Sequence, residues 1–176
     1  MKVVVISGHA QSGKDTTAGF IKEELTRHGF RVQIMHYADL LKFICRSYFD
    51  WDGNKDENGR EILQYVGTDI IRKERPDYWV DFISSLLVLF NGVWDYVLIP
   101  DARFPNEVDV MKKYFNGTHV RVVRLGFTSE LTEEQKAHPS ETALDDTIPD
   151  VILYNSGTLE SFKAEVIRAL TDIIKD

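Results

Sequence analysis

The chain has 176 residues, 43% hydrophobic and 28% charged, with a net charge of −7: one ordinary globular domain, long enough to bury a normal core. The acidic balance argues against a sequence-independent nucleic-acid binder, which needs a basic face. Cys45 is the only cysteine, which excludes an intramolecular disulfide or a cysteine-rich zinc site, and no apolar run is long enough for a membrane span or patterned as a signal segment.

Residues 3–6 form an apolar run of strand length. They feed a loop reading G-x-x-x-x-G-K, from Gly8 through Gly13 to Lys14, and a helical pattern with Ala18, Ile21 and Leu25 opens at once. A strand before and a helix after is the context a phosphate-binding loop requires. The two glycines permit positive φ and close backbone approach. Amides from Gln11 and Ser12 on to Thr16 are expected to face an anion, reinforced by the positive end of the helix. Lys14 adds a point charge for β- and γ-phosphates. The residue after the lysine is Asp15, where Ser or Thr usually binds Mg²⁺. Asp15 is expected to hold the metal directly or through water, or to orient Lys14, with Thr16 reaching the α-phosphate and Thr17 behind it.

The helix is expected over residues 13–27, closed by Gly29. Residues 31–36 alternate into a second strand, and Asp39 is placed as the N-cap of a helix carrying Leu40, Leu41 and Ile44. Cys45 in that stretch reads as a packed thiol. Residues 50–59 are turn-rich and charged, hence a surface excursion. Residues 59–75 read as one helix, and Pro76 is expected to start the next, apolar through Trp79, Ile83 and Leu87 and ended by Asn91-Gly92. Residues 94–99 have the continuous apolar character of a parallel strand covered on both faces, and deliver Asp101, placed as a metal-orienting carboxylate. A helix over 104–115 stopped by Asn116-Gly117, strands over 118–125 and 151–154, and an amphipathic helix from 159 to Asp176 complete the pattern. Residues 126–149 are polar and poorly periodic apart from a short helical signal at 132–138, and are placed like a mobile lid.

Strands alternating with helices imply right-handed crossovers and an α/β three-layer sandwich, with a five-stranded parallel sheet flanked by helices. A single domain over residues 1–176 is expected, with residues 37–92 as a helical, substrate-binding insertion.

A phosphate loop serves kinases, switch GTPases and motor ATPases. The guanine motif N-K-x-D is not met by Asn54-Lys55-Asp56-Glu57, and no D-x-x-G follows Asp101. The chain has little room for the sensor elements of large ATPases. A small-molecule kinase needs a second anionic pocket, for which Lys42, Arg60, Arg72, Arg103, Arg121 and Arg124 are the basic candidates. Arg103, just past Asp101, sits at the carboxyl edge of the sheet, where ligands of open α/β folds bind; the alternative is an ion pair with Glu107. Arg60 and Arg72 are candidates for gripping a phosphate, with Asp39 and Lys42 a similar pair. His138-Pro139-Ser140-Glu141 is either a catalytic-stage contact or a polar turn. His9 and His138 lie in candidate site loops, and neither has metal-ligand spacing to a second His or Cys.

These stretches together resemble the deoxynucleoside monophosphate kinases of bacteriophages, a branch of the nucleoside monophosphate kinases. The resemblance runs through SGHAQSGKDTTA (7–18), GREILQYVGTDIIR (59–72) with Trp79, PDARFPNE (100–107), HPSE (138–141) and VILYNSGTLESF (151–162). The Gly-Lys-Asp-Thr loop is itself a trait of that group. The resemblance implies a P-loop NTPase fold, ATP with Mg²⁺ as donor and a deoxynucleoside 5′-monophosphate as acceptor, for dNTP synthesis. It implies Lys14, Asp15, Asp101 and Arg103 as catalytic, with Asp15 and Asp101 near the metal. ATP contacts would come from Gly8, His9, Ala10, Gln11, Ser12, Gly13, Lys14, Asp15, Thr16, Thr17 and Arg124, with adenine near Asn155, Gly157 and Thr158. Acceptor contacts would come from Asp39, Lys42, Arg60, Gln64, Arg72, Trp79, Arg103 and Glu141. Related kinases carry several lid arginines; here the lid offers only Lys136, so Arg121 and Arg124 at its root are expected to replace them. Expected partners are small nucleotides, with no nucleic acid and no membrane, for a monomer or homodimer in the cytoplasm, that of the host if phage-encoded. The alternatives are a kinase of another phosphorylated acceptor, such as phosphomevalonate or dephospho-coenzyme A, and a nucleotide-dependent binding switch.

Overall fold

Val3, Val4, Val5 and Ile6 are all fully buried, so both faces of their strand are covered and the strand belongs in the middle of a sheet. The computed structural model describes residues 1–54, 56–129 and 131–175. Lys55 of the turn-rich segment, Glu130 of the lid segment and Asp176 of the last expected helix lie outside the described residues. In chain order the elements are β1 (Lys2–Ser7), α1 (Lys14–Arg27), β2 (Val32–Ile34), α2 (Ala38–Tyr48), α3 (Glu57–Gln64), a π-helical stretch (Tyr65–Arg72) and α4 (Tyr78–Leu89). There follow β3 (Tyr96–Ile99), α5 (Pro105–Tyr114), β4 (Thr118–Arg124), α6 (Glu133–Ala137), α7 (Pro139–Thr142), β5 (Val151–Asn155) and α8 (Leu159–Ile174). They form two units: Met1–Met35 with Phe90 onward, and His36–Leu89.

The first unit is built on a five-stranded sheet in the order β2-β3-β1-β4-β5, every pairing parallel. Strand alternation sends Val4 and Ile6 to one face, where they meet Ala18, Ile21 and Leu25 of α1 and Phe162 and Val166 of α8 in one buried cluster. The other face is covered by α5, which buries Val108 and Met111 and packs on β1 and β4. The three layers expected from the alternating pattern are therefore present. Some boundaries differ: β2 is shorter than the span 31–36 and β3 starts at Tyr96, while α5 stops at Asn116-Gly117 as expected, with Asn116 taking the positive φ of 51°.

The second unit has its own small core of Cys45, Trp51 and Val66, with Leu41, Ile44, Ile62 and Leu63 packed on it. Burial pushes the Cys45 thiol up, as suits a packed residue. The single helix expected over 59–75 is two: α-helical to Gln64, then π-helical to Arg72. Wider π turns change which carbonyls meet amides, and the Trp79 indole N–H donates to Gly67 O in this stretch at 3.1 Å. Asp39 is not the cap of α2; Tyr37 takes that position and Asp39 lies in the first turn. Pro76 precedes α4, in a turn where Tyr78 N donates to Arg75 O at 3.1 Å. Among the described residues no helix is long and apolar enough to cross a membrane.

Candidate active site

The loop after β1 needs its two glycines. Gly8 has φ +142° and a Cβ there would lie 2.3 Å from Val122 O; Gly13 has φ +108° and a Cβ would lie 3.0 Å from Asn155 Nδ2. Both are conformations only glycine adopts cheaply. The loop is fastened from two sides, by Asn155 Nδ2 donating to Ser12 O at 3.0 Å and Arg124 Nη1 donating to Gln11 O at 3.0 Å. Helix α1 starts at Lys14, so its first-turn amides, which no helical carbonyl can satisfy, lie at the loop.

Lys14 is only 8% exposed, and its Nζ donates to Gly8 O and His9 O, each at 2.8 Å. An ammonium carries three donors, so one remains for an anion. Burial lowers its pKa to about 8, with Arg103 adding to the effect and Glu141, Asp15 and Asp101 opposing it. Two cations and three carboxylates thus share one electrostatic field. Asp15 sits in the first turn of α1 and Asp101 follows β3, which gives two hard oxygen ligands beside the lysine. Among the described residues no group of three or more His, Cys, Asp or Glu side chains could hold a metal unaided. A Mg²⁺ that takes one or two carboxylates and completes its shell with phosphates and water fits this donor set.

Arg103 is held at both ends. Its backbone N–H donates to Glu107 Oε2 at 2.6 Å, while its guanidinium pairs with Glu141 Oε1 and donates to Ser140 O at 3.1 Å. The ion-pair alternative for Arg103 is thereby revised: Glu107 caps the backbone of Arg103 and Phe104, and the guanidinium turns to Glu141. The other oxygen of Glu141 accepts from Ala10 N at 2.9 Å, which ties the HPSE stretch to the loop. His9 pairs with Asp145 at 3.2 Å, an exposed contact of little energetic weight. A cleft of about 570 Å³ opens beside these groups, lined by Ser7, Gly8, Ala10, Arg103, Phe127, Lys136 and Glu141 among others. That is the size range of small-molecule sites.

Of the residues expected around the donor nucleotide, Gly8, His9, Ala10, Ser12 and Arg124 line this cleft, as do Arg103 and Glu141, expected on the acceptor; Gln11 and Gly13 belong to the same loop, Lys14, Asp15 and Thr16 to the first turn of α1, and Asp101 follows β3. Others have different work. Thr17 is wholly buried, its hydroxyl donating to Gly13 O at 2.9 Å, so it supports the helix start instead of lining the site. Arg121, expected at the root of the lid, lines the cleft, and its guanidinium donates to Leu144 O, to Asp145 O at 3.1 Å and to Thr147 O at 2.7 Å, capping the turn after α7. Arg124 lies over the Phe127 ring at 4.1 Å as well as bonding the loop. Asn155 stitches β5 to the loop, and Thr158, next to Gly157, caps α8 by accepting from Ser161 N at 3.2 Å.

In the second unit, Trp79 is buried and its one donor is committed to Gly67 O, which makes it a core residue. Asp39 and Lys42 pair with each other at 3.2 Å. Arg72 Nη1 donates to Pro76 O at 3.1 Å, and Arg60 and Gln64 are half-buried on α3.

One pair escaped the sequence reading. Ser7 Oγ and His119 Nε2 meet at 2.7 Å, both residues buried, directly behind the loop. The available signal was a lone histidine within an apolar strand, with alternation turning it inward beside Val5.

A family model described as deoxynucleotide monophosphate kinase matches residues 51–166. A chain of Acanthamoeba polyphaga mimivirus, named for the same activity, is 27% identical over 194 positions that cover 95% of each chain. The deoxynucleotide monophosphate kinase of Enterobacteria phage T4 is 32% identical over 113 residues, covering 63% of this chain and 44% of the phage protein. Among solved structures, the dephospho-CoA kinase from Campylobacter jejuni matches with a TM-score of 0.54 at 14% identity over 99% of both chains, a likeness of fold alone.

Proposed function

The chain belongs to the deoxynucleotide monophosphate kinase family, and from that premise we propose that it transfers the γ-phosphoryl group of ATP to a deoxynucleoside 5′-monophosphate, releasing ADP and a deoxynucleoside diphosphate. The observation that carries this reading is the meeting of Lys14, Asp15, Asp101 and Arg103 in one field around a glycine-bounded loop.

Phosphoryl transfer asks a protein for positioning and charge stabilisation more than for covalent chemistry. The loop amides and the remaining Lys14 donor hold the β- and γ-phosphates, where a preorganised donor costs no reorganisation during reaction. Asp15 and Asp101 would hold Mg²⁺ against those phosphates, and the ion would supply neutralisation of their charge. Arg103 faces the cleft and balances charge on the moving phosphoryl group. The wall from Phe127 to Glu141 limits water, which would otherwise compete as acceptor. Arg60, Gln64 and Arg72, with Asp39 and Lys42, are the proposed contacts of the second unit to the acceptor nucleotide. The experiment is a panel of deoxynucleoside and ribonucleoside monophosphates, phosphomevalonate and dephospho-coenzyme A, each with ATP and Mg²⁺, read by ADP release. Dependence on a deoxynucleotide supports the proposal. Release only with another acceptor, or slow release without any, rejects it.

A further inference from the structure

We infer that Glu141 is a positioning residue, which joins Arg103 to the leading edge of the phosphate loop in one rigid frame and does not itself touch the acceptor. This rests on the kinase reading above. The Glu141 side chain is only 8% exposed, and a carboxylate that dry must be matched by donors on its own protein. Its two oxygens are matched separately: Oε2 by Ala10 N–H at 2.9 Å and Oε1 by the Arg103 guanidinium. Ala10 lies ahead of the amides from Gln11 to Thr16 that the kinase reading assigns to the phosphates, so on that reading this bond takes no donor away from them. Arg103 receives a second acceptor from the same turn, Ser140 O at 3.1 Å, while Glu107 fixes its backbone at 2.6 Å.

The turn that carries Glu141 is itself braced. His138 Nδ1 accepts from Ser140 N at 3.2 Å, and Arg121 binds three carbonyls just beyond α7. Glu141 is therefore a short strut between two parts of the machinery that the sequence places far apart. Its chemistry is specific. Both partners are donors, so the amide of Gln, with one acceptor atom and an NH₂, satisfies one of them and opposes the other.

The test is a double-mutant cycle of Glu141→Gln and Arg103→Ala in the full chain, with ATP, Mg²⁺ and an equimolar mixture of dAMP, dCMP, dGMP and dTMP. Misplacing a catalytic group by a fraction of its contact distance costs roughly 10- to 100-fold, so Glu141→Gln is expected to lower kcat by about that factor while KM for ATP stays within about twofold. The double variant should then be no slower than Arg103→Ala alone. Losses that multiply, or a Glu141→Gln enzyme with wild-type kcat, overturn the inference. A second readout does not need turnover: ¹⁵N NMR of the arginine side chains and loop amides. Glu141→Gln should free rotation of the Arg103 guanidinium and shift the Ala10 amide, leaving β1 and α1 amides in place; an unchanged Arg103 signal overturns the strut. If the wild-type chain releases no ADP with any deoxynucleotide, the kinase reading fails, and the NMR result alone decides the strut.

Discussion

Acidification should destabilise this protein through His119 before its carboxylates are neutralised. His119 is fully buried in β4, its Nε2 spent on Ser7 Oγ and its backbone N–H on Asp150 Oδ2 at 2.8 Å. Burial lowers its pKa to about 4 from an ordinary 6.5; Arg121 pushes the same way, and Asp150 opposes them in part. Between those two values the unfolded chain binds a proton that the native chain refuses. Stability therefore rises with pH across the window and is lost as pH falls from about 6.5 to 4. The interval converts to roughly 3 kcal/mol at most, a large part of the stability of a domain this size. Urea denaturation at half-unit pH steps measures it. Glu and Asp losses appear in the wild type and in His119→Gln alike, but Gln offers Ser7 a hydrogen-bonding amide and does not titrate. The variant curve should be flatter by that amount above pH 4. Parallel curves would refute the assignment of a neutral, buried imidazole.

Lys14→Ala is expected to abolish ADP release while circular dichroism and the denaturation midpoint stay near wild type; an active, folded variant removes Lys14 from the mechanism. Because Lys14 must be charged to hold phosphates and its pKa is held near 8 by burial, kcat/KM for ATP should decline as pH rises through about 8, and a profile flat to the end of the stable range contradicts this. Arg103→Ala should cost about 100-fold or more in kcat, the size seen when a donor to transition-state charge is removed, and a near-normal rate leaves Arg103 as a brace only. Trp79→Phe keeps one aromatic ring but deletes the bond to Gly67 O and the buried pyrrole half of the indole, so it should cost more than the ~1 kcal/mol of the bond alone in denaturation, and no loss would mean that neither the bond nor the packing matters.

The parts legible in the sequence are those written in consecutive residues. The loop declares itself through Gly8, Gly13 and Lys14, and the central strand through the apolar run 3–6, because φ > 0 and two-sided burial each restrict the choice of residue locally. The sheet and its layers followed from strands and helices taking turns. Asp39 shows the limit of such reasoning: it has the chemistry of a cap, but α2 begins two residues earlier, with Tyr37 at the cap, and Asp39 in the first turn pairs with Lys42. The π-helical stretch has no period of its own to read, since residues that fit an α-helix fit it equally; a carbonyl bonded by an indole twelve residues later is visible only in space.

The segment 126–149 makes the point most sharply. Its lack of periodicity suggested a mobile lid, yet residues 138–147 are held by Arg103, Arg121, Ala10 and His9, partners as far as 136 residues away (His9 to Asp145). A four-residue helix such as α7 has no length over which to satisfy its own carbonyls, so the turn beyond it must borrow donors, and Arg121 supplies them. That need gives Arg121 a structural task in addition to its place in the lining of the cleft. Before His138, the side chains of Lys136 and Phe127 line the cleft. The acidic strut at Glu141 and the basic cap at Arg121 are thus two answers to one requirement: irregular backbone beside a phosphate site stays ordered only when distant charged side chains complete its hydrogen bonds.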